Sequence, residues 1–110
     1  MAAPKVLIAF YSRTGTIERL AKAVAEGAEG EGAEVRMRRA REVAPPEIIQ
    51  AVPGWKDSAD AMNSRYPAPT AEDAVWADAV IFGTPTRFGN VCSELKAYID
   101  GLGGLWARAP

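Results

Sequence analysis

Histidine is absent from this chain of 110 residues, and cysteine occurs once, at Cys92. An intrachain disulfide is therefore impossible, and imidazole catalysis and the usual zinc sites are excluded. An excess of either charge is also missing. The 13 Lys and Arg stand against 14 Asp and Glu, for a net charge of -1, so no broad basic field draws in nucleic acid. No apolar run approaches the ~20 residues of a membrane helix. Met1-Ala2-Ala3-Pro4-Lys5 lacks a signal-peptide pattern, because strand-like sequence begins at once. Repeats and low-complexity tracts are absent too. The expectation is a cytoplasmic protein with no metal, no membrane and no nucleic acid as partner.

What is present is an ordinary globular composition, 48% apolar and 25% charged, long enough for one small domain over residues 1–110. Val6-Leu7-Ile8-Ala9-Phe10 is an unbroken apolar run, as in a strand covered on both faces of a parallel sheet. Ile17, Leu20, Ala21, Val24, Ala25 and Ala28 then form one helical stripe, with Glu18, Arg19, Lys22, Glu26 and Glu29 on the other faces. Gly30 and Gly32 end that helix. Glu34 to Arg39 alternates and reads as a charged edge strand, its Arg36, Arg38, Arg39 and Arg41 in solvent. Pro45-Pro46 opens a short helix through Gln50, Trp55 to Met62 forms another turn or two, and residues 63–69 are loop. Thr70 caps a helix from Ala71 to Trp76, with Asp73 at its third position. Ala79 to Gly83 is the third strand. A last helix starts near Val91 with Val91, Leu95, Tyr98, Ile99 and Leu102 on one stripe, and Gly101, Gly103 and Gly104 end it. The order points to an α/β fold with a parallel sheet. Trp55 and Trp76 read as packing residues, and Cys92 as an inert helical cysteine.

Two strands each lead into a loop rich in hydroxyls and glycine. The first is Ser12-Arg13-Thr14-Gly15-Thr16-Ile17. Gly15 allows a tight turn and close approach of the backbone. Ser12, Thr14 and Thr16 offer hydroxyls, and the helix that follows offers free N–H groups and a positive dipole end. These are the parts of a phosphate cradle, and equally those of a well-capped helix start. Neither a Walker loop nor a GxGxxG fingerprint is present, which disfavours ATP or GTP hydrolysis. The second loop is Thr84-Pro85-Thr86-Arg87-Phe88-Gly89-Asn90. It can present backbone groups, an aromatic ring and a guanidinium to a planar ligand. Both loops leave the carboxyl ends of strands, where open α/β sheets bind ligands.

Tyr11 to Glu18, Pro85 to Asn90, Leu95 to Asp100 and Gly103-Gly104-Leu105-Trp106 together resemble the WrbA-type NAD(P)H:quinone oxidoreductases, within the flavodoxin-like fold. The resemblance spans essentially this whole chain but only the first half of the family's length. It implies a three-layer sandwich truncated to strands 1–3 in the order 2-1-3. It implies FMN, with its phosphate on Ser12, Arg13, Thr14, Gly15, Thr16 and Ile17. Pro85, Thr86, Arg87, Phe88, Gly89 and Asn90 would line the isoalloxazine, and Trp106 matches an aromatic near the active site. Hydride would pass from NAD(P)H to the flavin and two electrons on to a quinone, with no acid–base residue essential. A homo-oligomer, dimer or tetramer, is implied as well. Glu94-Leu95 replaces the family's usual Gln-Met, and Cys92-Ser93 is a local variant. The family's third flavin loop, which carries a histidine, has no counterpart. An electron-carrier flavodoxin and a non-catalytic oligomerising remnant are the alternative readings.

A three-stranded truncation leaves one side of strand 3 bare, a site of association. Size-exclusion chromatography with light scattering is therefore expected to show association, and a stable soluble monomer would refute it.

Overall fold

Leu7, Ile8, Ala9 and Phe10 are buried because their strand lies between two others with helices above and below. The computed structural model describes residues 2–108. It contains β1 (Lys5–Phe10), α1 (Thr16–Gly30), β2 (Glu34–Arg39), α2 (Pro46–Ala51), α3 (Trp55–Arg65), α4 (Ala71–Trp76), β3 (Ala79–Gly83), α5 (Ser93–Gly101) and α6 (Gly103–Arg108). The three strands form one parallel sheet in the order β2-β1-β3, with Ile8 opposite Met37 on one side and Ile81 on the other. This is the α/β arrangement expected from the sequence. Among the described residues, no helix is long and apolar enough to cross a membrane.

Alternation along β1 splits the core in two. Ile8 and Phe10 face α1 and α3, packing on Ala21, Ala25, Met62 and Tyr66. Leu7 and Ala9 face the α4–α5 side, with Cys92, Leu95 and the half-buried Trp76. Burial of a large aliphatic or aromatic side chain stabilises by about 1.5–3 kcal/mol, so the few residues of β1 carry much of the core. β3 is different. Val80, Ile81 and Phe82 are all exposed, because among the described residues no strand pairs with β3 at that edge.

Several expectations need correction. Leu20 and Val24 of the apolar stripe on α1 are exposed at 59% and 41%. They overhang a furrow beside β3 that Ile17 and Ile81 also line, where a further strand would be needed to cover them. Glu18, placed by periodicity on a solvent face, is buried against Arg65 and Tyr66. Asn63, Ser64 and Arg65 belong to α3 and not to a loop. Buried Met62 and the Arg65–Glu18 pair hold that extra turn. The last helix starts at Ser93, two residues late, because Cys92 is its N-cap. It ends at Gly101, as expected, but a further short helix follows, since Leu105 and Trp106 bond back to the Leu102 carbonyl at the start of α6.

The arginines of β2 are not a solvated face. Arg36 and Arg38 pair with the buried Asp73 carboxylate at 3.1 and 3.2 Å, and Arg36 lies over the Trp76 ring. Asp73 also closes the expected capping box with Thr70. Arg39 is 0% exposed. β2 is thus an edge strand tied to α4 through charge.

Burial pushes the Asp73 carboxyl up, but the Thr70 backbone N–H, Arg38 and Arg36 outweigh it and hold the group below its ordinary value. Burial likewise pushes the Glu18 carboxyl up, but the bonds from Tyr66 and Arg65 outweigh it and hold the group below its ordinary value. A carboxyl depressed in the folded chain stabilises fully above its unfolded pKa and loses that contribution as pH falls through the folded value. Thermal stability should therefore hold above about pH 5 and fall steeply below about pH 4. Asp73→Asn should cost about 1–2 kcal/mol at neutral pH and flatten the acid limb, as read by melting curves across pH.

Candidate functional site

At the carboxyl end of β1 the chain turns sharply through Gly15, at φ +107°, into α1. Ser12 is buried and its Oγ accepts the Gly15 N–H at 3.0 Å, which closes the loop. The Arg19 N–H donates to the Gly15 carbonyl as the first helical bond. No side chain caps the helix start. The N–H groups of Thr16, Ile17 and Glu18 precede that bond and lack helical partners. Glu18 stands where a carboxylate could fold back on them, yet its Oε2 accepts from the Tyr66 hydroxyl at 2.7 Å and from Arg65 at 2.8 Å. The positive end of α1 is thus left without a capping carboxylate, a geometry suited to anions.

The second loop starts at Gly83, where β3 comes hard against β1. A Cβ at this glycine would lie 3.1 Å from Phe10 Cβ and 3.2 Å from Ile17 Cγ2. Thr84 Oγ1 accepts the Cys92 N–H at 3.0 Å and ties the loop to the start of α5. Arg87 and Asn90 exchange reciprocal backbone bonds of 3.0 Å each around Phe88 and Gly89, both at positive φ (+51° and +78°). That is the signature of a two-residue type I′ turn. A phenylalanine in the left-handed region costs about 1 kcal/mol or more, and this one projects fully into solvent.

The two loops face each other across a cleft of about 400 Å³ lined by Ser12, Arg13, Thr14, Thr16, Ile17, Pro85 and Arg87. Of the residues singled out in the sequence, these seven come together; Gly15 is buried beneath them. Thr86, Phe88, Gly89 and Asn90 stand on the exposed turn above, outside the cleft lining. Trp106 is 84% exposed on α6 and lines neither this cleft nor its neighbour. That neighbour, about 500 Å³, shares Arg13 and Arg87 and adds Tyr11, Trp55, Glu94 and Lys96.

Sequence reading missed Tyr11, Trp55, Arg39 and Glu42. Arg13 lies on the Trp55 ring, 3.6 Å from its centroid. The Trp55 Nε1–H and the Tyr11 hydroxyl both donate to Glu42 Oε2, at 3.3 and 3.0 Å. Arg39 completes the cluster, with Nη2 at 2.5 Å from the same oxygen. Burial raises the Glu42 carboxyl, but bonds from Arg39, Trp55 and Tyr11 outweigh it and hold it below the ordinary range. Burial, then the Glu42 and Glu94 charges, push the Tyr11 phenol well above its usual value, so it remains a donor. The spacing of Glu42 three residues after Arg39 was the available signal, hidden among four arginines.

A cleft between the carboxyl ends of β1 and β3 lies where the strand order reverses, the position at which doubly wound sheets take their ligands. In this setting the comparisons with known proteins decide the family. The NADPH-dependent FMN reductase family matches residues 5–110. This chain belongs to that family. Among curated members of similar sequence, a NAD(P)H dehydrogenase (quinone) of Deinococcus radiodurans is 45% identical over 108 residues, covering 97% of this chain and 54% of the relative. The proteins of the same name from Geotalea uraniireducens and Geobacter metallireducens are 47% and 46% identical over 105 residues, covering 94% of this chain and 51% of each relative. The chain spans about half the length of the curated relatives it matches.

Gly83 is where the two loops depend on tight packing. Gly83→Ala should destabilise by about 1–3 kcal/mol, as overpacking does. Because Phe10 and Ile17 must move, it should also shift the amide resonances of residues 14–18 in an NMR spectrum. Unchanged spectra would show that β3 approaches β1 less closely.

Proposed function

We propose that this chain is the N-terminal portion of a flavodoxin-like, FMN-binding domain of a WrbA-type NAD(P)H:quinone oxidoreductase. The observation that carries this reading is the uncapped start of α1 facing Pro85 and Arg87 across the strand-order switch. Membership of the FMN reductase family and the names of the relatives support it.

The residues present fit such a cofactor. A phosphate dianion needs N–H donors and a nearby cation, and the start of α1, Thr14, Thr16 and Arg13 meet those needs with no carboxylate folded back on them. Gly15, at positive φ, supplies the tight turn that sets the loop against the start of α1. A planar ring needs a flat, partly apolar wall. Pro85, Thr86, Arg87, Phe88, Gly89 and Asn90 would supply it, with Phe88 already held outward by the turn. The flavin would supply the hydride-transfer chemistry between NAD(P)H and a quinone. The chain's own part is binding, orientation and electrostatics. Arg13 and Arg87 add positive charge beside the cleft and would hold negative charge on a bound ligand. Trp106, exposed and outside the lining of the cleft, would contribute from a second copy in a homo-oligomer, dimer or tetramer.

Purified protein should show the yellow absorbance of bound flavin, and fluorescence titration should show FMN binding weaker than nanomolar, since one side of the cleft is open. Nanomolar affinity would refute the missing wall. NADH oxidation with benzoquinone distinguishes the reductase from an electron carrier, which would not turn over. A colourless protein that fails to bind FMN would overturn the assignment.

A further inference from the structure

Arg39 has no part in the expected binding set, yet it is among the most completely buried side chains of the chain, at 0% exposure. Its guanidinium is fully engaged. Nε and Nη2 donate to the Ser12 carbonyl at 3.3 and 2.8 Å. Nη1 donates to Asn63 Oδ1 at 2.7 Å and to Glu42 Oε1 at 3.1 Å, and Nη2 reaches Glu42 Oε2 at 2.5 Å. An ion pair taken out of water is weak evidence for stability, because desolvation offsets the attraction. What this pair does uniquely is hold one peptide group.

That peptide is Ser12–Arg13, the first of the phosphate loop. A trans peptide is planar, and its C=O and N–H point in opposite directions. With the Ser12 carbonyl held inward on Arg39, the Arg13 N–H is aimed away from the core, toward the cleft side. The same pair sets the Arg13 side chain. Glu42 accepts the Trp55 indole N–H, and the Arg13 guanidinium lies on that indole. Backbone donor and side-chain cation of one residue are thus both placed by a buried pair from β2 and the segment after it.

We infer that Arg39 and Glu42 are positioning residues for the anion cradle, fixing the Ser12–Arg13 peptide and the Arg13 guanidinium without touching the ligand themselves. The ligand identity rests on the FMN reading above; the positioning of the loop does not. A bidentate, planar donor is needed because one carbonyl and one carboxylate must be held at once, which a lysine's single ammonium does not reproduce.

The test joins two measurements on the whole chain. In the ligand-free protein, Arg39→Met should raise tryptic cutting after Arg13 about tenfold while cutting after Arg36 in β2 and Lys96 in α5 stays at the wild-type rate. A merely structural role would speed all three together. If Arg39→Met does not fold, Arg39→Lys serves, since it keeps the charge opposite Glu42 and loses the fork. In flavin titrations, the preference of the wild-type chain for FMN over riboflavin, which lacks the phosphate, should fall about tenfold in the variant while riboflavin affinity holds, as expected for losing a charged hydrogen bond. Cutting after Arg13 that is unchanged, or raised only in step with the other sites, overturns the positioning role. So does an unchanged preference for FMN. Faster cutting after Arg13 alone, with a wild-type chain that binds FMN no better than riboflavin, keeps the positioning role and overturns the phosphate reading.

Discussion

The burial of β1 on both faces and along both edges is the constraint on which the rest depends. Each of its carbonyl ends must be followed by chain that leaves the sheet, and because β2 and β3 flank it in parallel, that chain emerges at one end with the loop after β3. The cleft is a consequence of that order. β1 runs to a helix that returns on one side, β3 to a helix on the other, and the two loops part where the connections diverge. Gly83 and Gly15 are the local conditions for it, one allowing β3 to lie against Phe10, the other turning the chain back into α1.

Charge inside the fold is organised around the same strand. Asp73 takes Arg36 and Arg38, Glu42 takes Arg39, and Glu18 takes Arg65. All three carboxylates are shielded from water and each is held ionised by its partners. None of these pairs neutralises Arg13 or Arg87, which remain beside the cleft. The positive charge at the cleft thus depends on how thoroughly the other arginines are used.

The side opposite β2 is left apolar and open. Leu20, Val24, Ile81 and Phe82 would be unremarkable core positions under one more strand and helix; at this edge they are exposed. The chain's span of about half the length of its relatives is consistent with that geometry. The cleft has a floor and two walls, and its third side faces the same bare edge.

Much was legible in the sequence. The apolar run at Val6 to Phe10, the stripe through Ala21 and Ala25, the capping box at Thr70 and Asp73, and both glycine-bearing loops follow from local periodicity and turn chemistry, which act over a few residues. The parallel α/β arrangement followed from the βαβ pattern, and the strand order from the family resemblance. What it did not determine depends on distant contacts. Arg39 and Glu18 look like solvated charges until Ser12, Arg65 and Tyr66 are brought to them from 27 to 48 positions away and Glu42 from across a turn. Trp106 looks like a core or interface aromatic until the fold leaves it in water on α6. Periodicity says which face of an element a residue occupies; only the tertiary structure says what lies opposite that face, and for a charge or a ring that partner decides its role.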